Sequence, residues 1–167
     1  PESIEKLSTM GIIVTADKGI ALKSGFSDES LEQAGAKFRA PEDGAASADI
    51  IIRIAKPRQK EIDVLEPGTL HISFLDPFNE KDLIQKLADK KVSAISMEMI
   101  PRSTLAQKMD ALSSQANLAG YFAVVKAAES LGKVLPMMMT PSGTIAPAKV
   151  FVIGVGVAGL QAIATAK

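Results

Sequence analysis

The chain has 167 residues, 47% hydrophobic and 23% charged, an ordinary globular composition sufficient for one compact domain with a core, or one domain and part of another. Nineteen Lys and Arg balance nineteen Asp and Glu, so no net field draws the chain to nucleic acid or to an anionic membrane. With no Cys and a single His, His71, disulfides, a Cys nucleophile and thiolate or His-rich metal sites are excluded, and no metal centre is expected.

The chain opens on Pro1 rather than Met, which reads as a piece of a longer polypeptide. No Lys/Arg-led apolar stretch follows, so a reducing compartment is the expected setting. Glu2 to Met10 reads as the tail of a helix, followed by a short apolar strand Ile12-Ile13-Val14. Ser27 or Asp28 can cap a helix that runs to Ala34 and stops at Gly35. Ile50 to Ile54 and Leu70 to Leu75 read as apolar strands, with Glu66-Pro67-Gly68 as a turn before the second. Asn79 is placed to cap a helix whose apolar stripe is Leu83, Ile84, Leu87 and Ala88, and Val92 to Met97 reads as a further strand. A strand–helix unit repeating about every 20 residues predicts a mostly parallel sheet with flanking helices, an α/β fold of Rossmann or flavodoxin-like type.

From Leu105 to Leu131 there is no Pro and one Gly, Gly120, which predicts one long helix or two consecutive ones. At 100° per residue, Gln107, Asp110, Ser113, Ser114, Asn117 and Tyr121 share about one third of the circumference, a polar stripe on a helix otherwise ready for burial. Leu135 to Pro147 is uncharged and carries three Pro and a Gly, which reads as an extended crossing between domains. The expected division is an N-terminal α/β domain over 1–140, then a linker and the first strand and helix of a second Rossmann domain over 141–167. The uncharged run Val150 to Ala166 is flanked by Lys149 and Lys167. It falls short of the roughly 20 strongly apolar residues of a membrane span, and a strand, tight turn and helix explain it better.

That run contains the sharpest motif, Gly154-Val-Gly156-Val-Ala-Gly159, with an apolar strand before it and helix formers after. Gly154 permits the tight turn, Gly156 lets a pyrophosphate approach the backbone, and Gly159 lets helix and strand pack closely. The free N–H groups at the helix start then hold phosphate oxygens. The acidic residue that reads the ribose hydroxyls is expected about 20 residues further on, beyond Lys167. A second constellation is Arg102, Gln107, Asp110 and Ser113. It reads either as a set that orients a nicotinamide carboxamide or as an Arg102–Asp110 ion pair with hydroxyls capping helices. His71, inside a strand, reads first as a core residue. Met137-Met138-Met139 reads first as packing within a core or between domains, ahead of a pocket lining, and Lys56-Pro57-Arg58-Gln59-Lys60 as a solvated loop, ahead of a contact to an anionic ligand.

Pro101-Arg102, Ala106-Gln107, Asp110 to Tyr121, Leu135 to Thr140 and Pro147 to Lys167 together resemble the NAD(H)-binding domain of proton-translocating nicotinamide nucleotide transhydrogenase. The resemblance is strong after about Pro101 and weak before about Glu66. It implies an oxidoreductase and translocase in which hydride passes directly from NADH to NADP⁺ held on a separate, NADP(H)-binding domain, coupled to proton movement through a membrane-embedded partner. It also implies a homodimer and a soluble, peripheral position on the cytoplasmic side of the inner membrane, with the present piece inactive alone. By that resemblance Arg102, Gln107, Asp110 and Ser113 surround the nicotinamide, with Gln107 and Asp110 the candidate catalytic side chains in an orienting role. Gly154, Gly156, Val157, Ala158 and Gly159 form the pyrophosphate turn. Alanine dehydrogenase, with the same fold, is the alternative. Lys56 could match that family's substrate Lys, but Asp76 stands where its His is expected, and His71 does not match.

Overall fold

The computed structural model describes residues 1–39 and 47–167. The fold is mixed α/β, with parallel strands flanked by helices, and the chain divides into two compact units, Pro1–Ser96 and Met97–Lys167. The expected boundary at 140/141 falls inside the second.

The first unit opens with helix α1 (Glu2–Thr9), which carries Glu2 and Glu5 in its first turn, where carboxylates favour the helix dipole. The strand expected at Ile12–Val14 is displaced. Strand β1 is Thr15–Ala16, paired in parallel with β2, Lys37–Phe38. Between them helix α2 (Asp28–Gln33) is capped by Ser27, whose Oγ accepts the Ser30 N–H at 3.2 Å. Asp28 has another use: its carboxylate accepts the Gly19 N–H at 2.8 Å. Gly35 ends the helix at φ +102°, as expected.

A second sheet holds β3 (Ile50–Ile52), β4 (Leu70–Ser73) and β5 (Ser93–Ser96) in sequence order and all parallel. Its register aligns Ile51, His71 and Ala94 across the three strands. Parallel neighbours need crossovers, supplied here by α3 (Gln59–Asp63) and α4 (Lys81–Asp89). Leu83 and Leu87 of α4 are buried as their spacing predicts, and they join Ile62, Leu65, Leu75 and Val92 in one core against Ile51. Asn79 does not cap α4. Its amide donates to the Asp76 carboxylate at 2.8 Å, and Glu80 occupies the cap position. Part of the expected solvated loop at 56–60 is helical, because the Glu61 carboxylate accepts the Arg58 N–H and closes the first turn of α3.

In the second unit the long helix α5 runs over Ala111–Leu131 and stops at Gly132, φ +63°. It begins six residues later than the composition suggests. Asp110 takes the cap position, and its carboxylate accepts the Ser113 N–H at 2.9 Å, so the preceding residues form a separate 3-10 turn, Gln107–Met109. Only Gly120 and Val124 of α5 are buried, so most of the expected burial-ready face is exposed. The Pro-containing stretch is a hairpin, not an extended crossing: β6 (Met138–Thr140) pairs antiparallel with β7 (Gly143–Ile145). Met138 and Met139 are therefore exposed strand residues and not core. Val150–Ile153 makes no ladder among the described residues, and Phe151 and Ile153 are 88% and 90% exposed. The final helix, α6 (Val157–Ala166), starts at Gly156. Among the described residues no helix is long and apolar enough to cross a membrane.

Candidate functional site

The glycine turn is built as its spacing requires. Gly154 has φ +97°, a conformation that a side chain disfavours. A Cβ at Gly159 would lie 2.1 Å from the Gly154 carbonyl oxygen, so the first turn of α6 folds back onto the start of its own loop. Gly156 differs from both. A Cβ there would meet nothing within 4 Å, and its backbone is ordinary (φ −73°, ψ −173°). As the cap of α6 it offers no side-chain acceptor, so the first N–H groups of the helix lack a side-chain cap beside open space. An anion fits there on both counts: the amides are unclaimed by any cap, and a Cβ would fill the room.

That space belongs to an open groove of about 570 Å³ wholly within the second unit. One wall is the turn, from Gly154 through Gly156, Val157, Ala158 and Gly159. The other brings Arg102 and the start of α5, including Ser113. Seven of the nine candidate residues thus line one groove. Asp110 and Gln107 do not line it. Asp110 sits one step behind Ser113, and Gln107 lies on the exposed 3-10 turn before it. The single helical stripe expected for Gln107, Asp110 and Ser113 is broken by the Asp110 cap.

Ser113 binds Asp110 twice, the N–H to Oδ1 at 2.9 Å and the hydroxyl to Oδ2 at 2.6 Å. These bonds hold the Asp110 carboxyl below its ordinary range, the Ser113 hydroxyl contributing most and the Arg102 charge adding to it through space. Asp110 therefore takes Ser113 as its direct partner in place of the ion pair with Arg102. Sequence reasoning misses three groove residues: Leu112, Ala116 and Ile153. Leu112 and Ala116 are one turn apart on α5, and their i, i+4 spacing is the signal that could find them.

In the first unit Lys56 is held by Glu80, whose carboxylate raises the ammonium pKa mainly through their hydrogen bond. His71 is 1% exposed in β4. Its Nδ1 lies 3.5 Å from Ser73 Oγ, and its Nε2 has no hydrogen-bond partner among the described residues. Burial lowers its pKa, with the Arg53 charge acting in the same direction, as befits a neutral core imidazole.

A parallel α/β sheet in one unit and a glycine turn opening a helix in the other define a protein of the Rossmann-like α/β class. The comparisons with known proteins are more specific. Residues 1–119 match the family model described as alanine dehydrogenase/PNT, N-terminal domain, and residues 123–167 the one described as its C-terminal domain. The chain belongs to the alanine dehydrogenase/PNT family. Over 99% of its length it is 40% identical to NAD(P) transhydrogenase subunit alpha of Cereibacter sphaeroides, covering 32% of that protein. The solved transhydrogenase from Sinorhizobium meliloti superposes with a TM-score of 0.90 at 45% identity, over 99% of this chain and 49% of that one. Alanine dehydrogenase 1 of Staphylococcus aureus is 30% identical over 68% of this chain and 30% of its own length. The chain thus spans between about a third and a half of the length of the transhydrogenases it matches.

Proposed function

We propose that this chain belongs to the NAD(H)-binding component of a proton-translocating NAD(P) transhydrogenase. Hydride would pass directly between NADH held here and NADP(H) on a partner domain. A membrane-embedded partner would couple that transfer to proton movement, with the component acting as a homodimer at the cytoplasmic face of the inner membrane. The 167 residues alone are proposed to be inactive, with 1–140 as the N-terminal domain and 141–167 leading into the nucleotide domain. The observation that carries the reading is the open space at Gly156, beside the α6 N-terminus and facing Arg102 and Ser113 across one groove.

On this reading the first N–H groups of α6 hold the pyrophosphate. Arg102 and Ser113 take the nicotinamide end, Asp110 fixes Ser113 in place, and Gln107 orients the ring from the turn before the cap. NADH supplies the hydride. Because direct transfer requires alignment and no proton abstraction, these side chains contribute orientation and not acid–base chemistry.

The test uses the full-length protein mixed with a separate NADP(H)-binding component, with hydride transfer from NADPH to an NAD⁺ analogue followed by absorbance. Rapid transfer supports the proposal. A folded protein that binds NADH without transfer points to the alternative, alanine dehydrogenase, whose substrates would be pyruvate and ammonium. The family model spans both activities, but the transhydrogenase relatives match at 40–45% identity over 99% of the chain against 30% over 68% for the alanine dehydrogenase, and Lys56 is engaged by Glu80.

A further inference from the structure

We infer that Gly120 of α5 is a positioning residue for the phosphate turn, an assignment that rests on the nucleotide-binding reading above. Gly120 sits near the middle of a 21-residue helix, where glycine costs up to about 1 kcal/mol relative to Ala. The compensation is a close approach. A Cβ on Gly120 would lie 2.2 Å from the Ala158 carbonyl oxygen and 3.0 Å from both the Ala158 carbonyl carbon and Cα. These are backbone atoms of the first turn of α6, so no side-chain rotation can relieve the overlap.

The geometry makes α5 a ruler. Its first turn holds Ser113 against Asp110, and two turns later its bare backbone seats Ala158. Both Ser113 and Ala158 line the same groove. The separation between the two ends of the groove is therefore set along one rigid helix, and the seat at Gly120 fixes where the free amides of α6 lie. Ordinary contact of a Cβ begins near 3.4 Å, so Gly120→Ala must displace the Ala158 turn by roughly 1 Å, a misplacement that can cost on the order of 100-fold at a site whose function is alignment.

The experiment compares wild-type and Gly120→Ala full-length protein. It measures NADH binding by fluorescence titration, displacement by ADP and by adenosine, and melting without nucleotide. The expected result is a cooperatively melting variant whose NADH and ADP dissociation constants rise about tenfold or more, while that of adenosine, which carries no phosphate, stays within about twofold. A variant that melts cooperatively and retains the wild-type ADP-to-adenosine ratio overturns the inference. Gly132→Ala serves as the control for a purely structural glycine: it strains the φ +63° stop of α5, and lowers melting temperature without changing the ratio.

A readout on the wild type covers the case in which Gly120→Ala does not fold. ADP is expected to slow hydrogen exchange both in the peptide containing Gly156–Ala158 and in the α5 peptide containing Gly120, whereas adenosine slows neither. ADP protection of the turn alone overturns the inference. Failure of wild type to bind NADH or ADP at all overturns instead the nucleotide-binding reading, so the two are separable.

Discussion

Substituting the three motif glycines by Ala is expected to produce three different phenotypes, with Gly156→Ala the decisive one. Its Cβ enters space free of protein atoms, and its backbone angles suit any residue. Restricting the unfolded chain stabilises the variant by about 0.4–1 kcal/mol, whereas Ala is a poorer helix cap than Gly by about 0.5–1 kcal/mol. These nearly cancel, so the melting temperature is expected to move by less than about 2 °C. The methyl nevertheless occupies the room beside the α6 amides. Losing one charge-assisted hydrogen bond to a phosphate costs about 1.5–3 kcal/mol, which is roughly tenfold to 100-fold in the NADH dissociation constant. Gly154→Ala places a side chain at φ +97°, at a cost of about 1–2 kcal/mol. Gly159→Ala drives a methyl to 2.1 Å from a backbone oxygen, with an overpacking cost of about 1–3 kcal/mol. Both lose stability as well as affinity. Calorimetric melting and NADH fluorescence titration of the full-length variants at one ionic strength separate the cases. A Gly156→Ala protein that binds NADH as wild type does would refute the assignment of the phosphate to this turn. One that melts as early as Gly159→Ala would show that the space is not free.

Three further outcomes are expected. Gln107→Asn in the full-length protein should slow hydride transfer much more than it weakens NADH binding, and equal losses in stopped-flow rate and titrated affinity would count against an orienting role. Burial alone would raise the Glu61 carboxyl, but hydrogen bonds from the Arg58 backbone and side chain and from Arg53 outweigh it and bring it down to about 2 from 4.5. This stabilisation is present above pH 4.5 and is lost as the pH falls toward 2. Discounted for solvent screening it amounts to about 1–2 kcal/mol, so acid titration of melting should show a steeper loss for wild type than for Glu61→Gln. His71 has a folded pKa depressed below 6.5, so the unfolded chain binds the extra proton and stability falls as pH drops below 6.5. If that slope is unchanged in His71→Phe, protonation of this buried ring is not its source.

The three-stranded sheet of the first unit is legible in the sequence because its signals are local. Ile50–Ile52 and Leu70–Ser73 are short runs bounded by turn residues, which marks them as strands, and Leu83 and Leu87 repeat at helical spacing, which announces their burial; Ile50 and Ile52 are strand residues that stay exposed. The start of α5 is not. Helix formers continue back to Leu105, and only the Asp110 carboxylate closing on the Ser113 amide breaks the helix there, a choice between two acceptable conformations that composition does not rank. The hairpin at Met138–Ile145 is hidden for a related reason: Pro and Gly mark a turn as readily as an extended linker, and only pairing decides between them. The glycine motif can be read at two of its positions because Gly154 answers a positive φ and Gly159 a close backbone approach, whereas Gly156 meets no such demand within the described residues. Gly120 escapes such a reading because its demand comes from Ala158, distant in sequence. Its one local trace is the cost of a glycine inside a long helix.

The Asp110–Ser113 pair also constrains what the groove can accept. The Ser113 hydroxyl hydrogen is directed to Asp110 Oδ2 at 2.6 Å, so toward the groove that oxygen presents lone pairs and not a donor. Arg102, on the same groove, presents N–H donors and has no acceptor. An acceptor and a donor set flanking one opening match a group that both donates and accepts, as a carboxamide does. A simple anion would favour Arg102 and be repelled by the Asp110 charge behind Ser113. The cap that looks like a purely structural device therefore also sets the direction of a hydrogen bond. On the proposed function, Asp110 thereby orients the ligand without itself lining the groove.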